Sequence, residues 1–307
     1  MLFNRANARL PATKTEDYPL LGIVLMLLAM ALFSITDGLC KSLAAAGYHP
    51  IQIAWGRFLF ITLFLLPPLA ANRFRALHTA RPGLQLLRGL AMLGSSVFFI
   101  SALPLMALAD ATALAFVTPF FVTALAIPLL GERIGIRRWM AVVVGFIGVL
   151  IIVRPGGSGF QVAALFPVVS AACGALGFII TRMMRISEPR LTTLAFSALT
   201  ALAATSSAVL PVWQPLNAQA MFILLGVGGL SALSQYVLIL AFQHAEPSLL
   251  APFLYSQILW ATLVGFVLFG ALPDMATLIG AAIIIACGLY VLYRERLRAS
   301  AGLSSAG

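Results

Sequence analysis

Three ionisable side chains interrupt sequence that otherwise suits lipid. Asp37, Lys41 and Arg57 lie in "SITDGLCKSLAAAGYHPIQIAWGRF", residues 34 to 58, with apolar runs on both sides. Ionisable groups at membrane depth are costly, so they point to substrate or ion pathways. Asp37 and Lys41 are four residues apart and share a helical face with Ser34, so they are expected to pair. Arg57 has no acid within its own span, and Asp37 across the hairpin is expected to hold it when no substrate is bound. A guanidinium facing a water-filled cavity could grip a substrate carboxylate with its planar fork. The competing reading is a neutralised cluster that ties two helices together, with Lys41 reaching out to headgroups.

Other polar positions extend the candidate set. Arg88 lies early in an apolar run, where it either snorkels to phosphates or lines the inner end of a cavity. Asp110 opens "ADATAL" and suits a helix N-cap. Ser96, Thr118, Gln235 and Gln257 fall near the middle of apolar runs, with Tyr255 and Trp260 offering ring faces to a solute. Interhelical hydrogen bonding would explain each of the polar ones equally well.

No catalytic or cofactor constellation accompanies them. His49, His78 and His244 are far apart, and "RPGGSG" lacks the Lys-Ser/Thr ending of a phosphate-binding loop. Cys40, Cys173 and Cys287 are isolated and fit neither a disulfide framework nor a zinc spacing. The reading is therefore not an enzyme and needs no cofactor. An enzyme acting on lipid-linked substrates, the reading from a different class, would want clustered acids or histidines at one membrane face.

The elements that must position these groups are transmembrane helices. Hydrophobic residues make up 62% of the 307-residue chain and charged residues 9%, against about 25% charged in soluble proteins. Runs long enough to span a bilayer are expected at 19–41, 50–70, 83–104, 110–130, 138–153, 163–182, 191–212, 220–241, 248–269 and 276–293. Trp139, Trp213 and Tyr293 fall near span ends, where rings favour the headgroup zone. With the N-terminus inside, fifteen of the 19 basic residues fall in inner segments and Arg154 alone in an outer loop. That asymmetry predicts cytoplasmic N- and C-termini. It also explains the net charge of +10 without nucleic acid.

Five spans precede "RPGGSG" and five follow, so two five-span units in one chain must be inverted. A shift of 139 residues aligns 102–132 with 241–271 without a gap, setting Phe116 against Tyr255 and Gly131 against Gly270. Pro119 and Pro252 are expected to interrupt the fourth and ninth spans, six residues out of register. The expected organisation is a tail at 1–18, a first repeat at 19–153, a linker at 154–162, a second repeat at 163–293 and a tail at 294–307. The fold class is an all-α integral membrane protein of ten transmembrane helices in two inverted five-helix repeats.

"DGLCKSL" followed by "WGRF", the segment "ADATALAFVTPFFVTALAIPLLGERIGIRRW" and the later "APFLYSQILWATLVGFVLFG" together resemble the drug/metabolite transporter superfamily, EamA type. The likeness covers about residues 19 to 293 and departs at Ala271, where many relatives carry a Glu matching Glu132. It implies a secondary carrier, commonly an exporter, of small metabolites in a bacterial inner membrane. The intramembrane excess of bases favours zwitterionic or anionic solutes such as amino acids. Larger vitamin- or nucleotide-like metabolites are the alternative, and protons or another ion are open as the coupling species. The partners expected are thus a small metabolite and the lipid bilayer.

Overall fold

The computed structural model describes residues 19–73, 75–131, 136–153, 162–184, 187–245 and 247–304. The tail at 1–18, nearly all of the 154–162 linker, and Glu132 and Arg133 lie outside the described residues. Every regular element among the described residues is helical. They are α1 (Pro19–Ala45), α2 (Pro50–Ala71), α3 (Pro82–Ala102), α4 (Leu108–Ala115), α5 (Thr118–Leu130), α6 (Ile136–Val153), α7 (Leu165–Met184), α8 (Arg190–Ala208), α9 (Ala218–His244), α10 (Pro247–Leu254), α11 (Ser256–Phe269) and α12 (Met275–Ser304). Eight helical stretches are long and apolar enough to cross a membrane, and α6 and α12 add shorter apolar helices at Val142–Val153 and Met275–Tyr290.

Local chemistry sets the helix ends. Pro50 and Pro82 open α2 and α3, where a missing N–H costs nothing. Asn217 caps α9 by accepting a bond from the Ala220 amide at 2.7 Å. Gly131 and Gly270 end α5 and α11 in the left-handed region, at φ 67° and 63°, a conformation that suits a residue without Cβ.

The stretches at 110–130 and 248–269 are each broken in two, as their prolines lead one to expect. The breaks fall at Phe116–Val117 and at Tyr255, positions that coincide in the 139-residue alignment although the prolines do not. Thr118 donates to the Ala115 carbonyl and Ser256 to the Phe253 carbonyl, each at 2.6 Å. These hydroxyls satisfy backbone groups freed by the breaks, which lipid could not do.

Packing gathers the helices into two groups. In the first, α1 lies along α9 and touches α10 and α11, while α2 also packs on α9. In the second, α3 lies along α7 and α8, and α4 and α5 pack on α7. The groups meet where α2 crosses α8 and α4 crosses α11, and α6 pairs with α12 beside them. Lipid gives apolar helices no hydrophobic reason to associate, so close approach at small residues must help. Where α6 meets α12, a Cβ on Gly280 would stand 2.6 Å from the Gly148 carbonyl oxygen.

Candidate functional site

At one face of the bundle, the end of α1, the start of α2, the start of α4 and the end of α11 come together. Asp37 is buried and Arg57 half-buried, and the two interact electrostatically across the α1–α2 interface. Cys40, one turn along α1 from Asp37, feels both charges. None of the other described residues accepts a hydrogen bond from the Arg57 guanidinium. Ser34, on the same face as Asp37, donates to the Gln257 carbonyl on α11 at 3.2 Å.

Lys41 is turned elsewhere. Its ammonium donates to the Met106 carbonyl at 2.5 Å, sits 5.0 Å from the Phe269 ring centroid, and is attracted by Asp110. The Asp37–Lys41 pairing expected from their spacing is therefore exchanged for two pairings between helices. Spacing reveals neighbours on one helix only, and here the nearer opposite charges sit on other helices. Asp110 is not the N-cap of α4 either. Ala107 takes that place, and Asp110 lies in the first turn.

Arg88 is deeply buried between α3, α7 and α8. It donates to Thr181 Oγ1 at 2.5 Å, to the Thr193 carbonyl at 3.2 Å and to Ser197 Oγ. Its donors are directed into protein, so the side chain joins three helices of the second group. Close by, Glu188 accepts bonds from Thr79 Oγ1 and the Ala80 amide, both at 2.9 Å, and from Gln85 at 3.3 Å. Glu188 is a buried acid that the sequence reading missed, because it sits in an arginine-rich loop counted only for its positive charge. A lone carboxylate two residues before a helix start was the available signal.

The remaining candidates divide by position. Tyr255 is buried and meets Phe116 with ring centroids 5.0 Å apart, so the two helix breaks touch each other. Ser96 Oγ is buried with no hydrogen-bond partner among the described residues. Thr118 is engaged at the α4–α5 break, and Gln257 is half-buried. Trp260 packs against the cluster of Met26, Ala29 and Leu250. Gln235 is exposed on α9, whereas its neighbour Ser234 is buried and bonded to the Leu230 carbonyl. The three cysteines are free, with Cys40 and Cys287 buried. No group of three or more His, Cys, Asp or Glu among the described residues is placed to hold a metal ion.

Residues 20–154 match the EamA-like transporter family. A riboflavin transporter of Rhizobium johnstonii is 32% identical, with the alignment covering 90% of this chain and 92% of that one. The chain belongs to the EamA-like transporter family. An S-adenosylmethionine uptake transporter of Rickettsia prowazekii is 28% identical over 90% of this chain and 93% of its own. A solved structure shares the fold at a TM-score of 0.57 and 20% identity, covering 91% of this chain and 98% of the other. This EamA-family chain is thus a multi-pass membrane transporter, and the family's relatives carry small metabolites.

Proposed function

We propose that this EamA-family protein is a secondary carrier that works by alternating access between two inverted five-span halves. One observation carries the reading. Exchanging α1–α6 for α7–α12 interchanges the main packing pairs: α1 on α9 becomes α7 on α3, α2 on α9 becomes α8 on α3, and α1 on α11 becomes α7 on α5. The α2–α8 and α6–α12 contacts map onto themselves. The aligned residues Phe116 and Tyr255 meet each other, as residues beside a two-fold axis must. Such a pair of repeats can swap conformations around a central site and so open opposite faces in turn.

Arg57 is the proposed anchor for an anionic or zwitterionic substrate, with Asp37 holding the guanidinium when the site is empty. Its partial burial and its electrostatic interaction with Asp37 support this role. Tyr255, Phe116, Ser96, Thr118, Gln257 and Trp260 lie on the elements that meet at the axis and would complete the pocket. Amino acids are the simplest substrates on this reading. The names of the relatives favour larger ring-bearing metabolites as the second, and S-adenosylmethionine and riboflavin belong in the first screen. Both termini are assigned to the cytoplasm of an inner membrane by the basic-residue asymmetry, with export as the direction and protons as the first coupling ion to test.

Counterflow in proteoliposomes tests the proposal. Exchange of labelled substrate is expected in the wild type, and Arg57→Ala should lower it at least about tenfold, the scale of a lost charge-assisted contact. Arg57→Lys should weaken discrimination between a carboxylate and its carboxamide, because the bidentate fork is gone. Equal exchange of acid and amide by the wild type would remove Arg57 from the site.

A further inference from the structure

The two helix groups are joined very differently at their two ends. At the face where α1 ends, Cys40, Leu43, Ile53 and Leu224 of the first group share one buried cluster with Ile100, Leu103 and Leu108 of the second. At the opposite face, the cluster of Met26, Met30, Val237 and Leu250 stays within the first group. Among the described residues there, Leu69 and Ala195, with Leu65 and Leu191 packed against them, link α2 to α8 in a small cluster. Arg88 and Glu188, also at that end, bond within the second group or to the loop before α3. Among the described residues, the face at which α1 ends is therefore the one where the two groups are sealed together.

Lys41 crosses this seal. It belongs to α1 in the first group, yet its ammonium bonds to the Met106 carbonyl and feels Asp110, both at the entry to α4 in the second. The ring of Phe269, from the end of α11, covers the same ammonium. Among the polar contacts of α1 with described residues, this is the one that reaches from one group to the other at the sealed end. A carbonyl at the end of a backbone turn, a carboxylate and a ring face together hold the cation without needing substrate. We propose that Lys41 is the bolt of the face at which α1 ends. It locks the two groups together in the conformation seen here and is withdrawn when that face opens. The role rests on the alternating-access reading and reassigns Lys41 from substrate ligand to gate.

Cys40 supplies a native reporter, since it neighbours Lys41 and lies fully buried in the shared cluster. Single-cysteine chains retaining Cys40 or Cys287 would be reconstituted into nanodiscs without substrate and treated with a water-soluble maleimide. Lys41→Met should accelerate Cys40 labelling about tenfold, the factor expected on losing one hydrogen bond to a charged group. Lys41→Arg should restore slow labelling, and Cys287 should label at the same rate in all three backgrounds. Unchanged Cys40 labelling in Lys41→Met would overturn the proposal. So would an equal rise at Cys287, which would mean general loosening instead of an opened gate. The labelling needs no transport, so a wild type without counterflow but with a Lys41-dependent Cys40 rate would sink the carrier reading and leave the bolt. Counterflow with a Lys41-independent rate would do the reverse.

Discussion

Arg57 and Arg88 carry the same guanidinium into apolar surroundings, and their neighbours give them different work. Arg88 spends its donors on Thr181, Thr193 and Ser197, on two helices other than its own. Removing a charged donor from such a network costs about 1–3 kcal/mol. Arg88→Ala should therefore lower the melting temperature of the purified protein, and Arg88→Lys should recover only part of the loss, since one ammonium lacks the fork that reaches both helices. An unchanged melting temperature with abolished transport would instead put Arg88 in the substrate path. Arg57→Ala is expected to behave the other way, with melting preserved and exchange lost. The charges themselves were legible as exceptions in apolar sequence. The approach of Arg57 to Asp37 across one hairpin could also be anticipated, whereas the partners of Lys41, Met106 and Asp110, lie far along the chain and could not.

At the scale of the helix, the positions of the long apolar stretches follow the sequence closely, since lipid demands continuous apolar surface and internal backbone bonding. The break points are a different matter. Pro119 sits in the first turn of α5, directly after the break at Phe116–Val117. Pro252 lies inside α10, three residues before the break at Tyr255, so the second break could not be placed from its proline. Helix contacts were equally hidden, because they depend on small residues that look alike in any apolar run. The α6–α12 crossing tests that dependence. Gly280→Val would press a branched side chain against the Gly148 carbonyl, which is backbone and yields little. A loss of roughly 1–3 kcal/mol is expected from such overpacking. Melting in detergent should register it, while Gly83→Val, at an open position, should leave melting unchanged.

For the whole molecule, orientation is the property that basic residues dictate and coordinates alone do not. A cysteine at exposed Ala46, in the turn between α1 and α2, should react with an impermeant maleimide in intact cells. Cysteines at exposed Arg75 and Ser187 should be protected until the membrane is opened. The reverse pattern would invert the chain and place the Lys41 face toward the cytoplasm. Either way, the interleaved packing of the two groups bears on how the chain is made. The main partner of α1 is α9, which begins only at Ala218, and the main partner of α3 is α7. During synthesis α1 and α3 emerge before their main partners have been translated. Residues 20–154, the portion that the family signature matches, thus find much of their packing in helices outside that portion. Assembly is expected to wait until the ribosome has made α7 and α9, and a truncated message would leave α1 and α3 without their main partners.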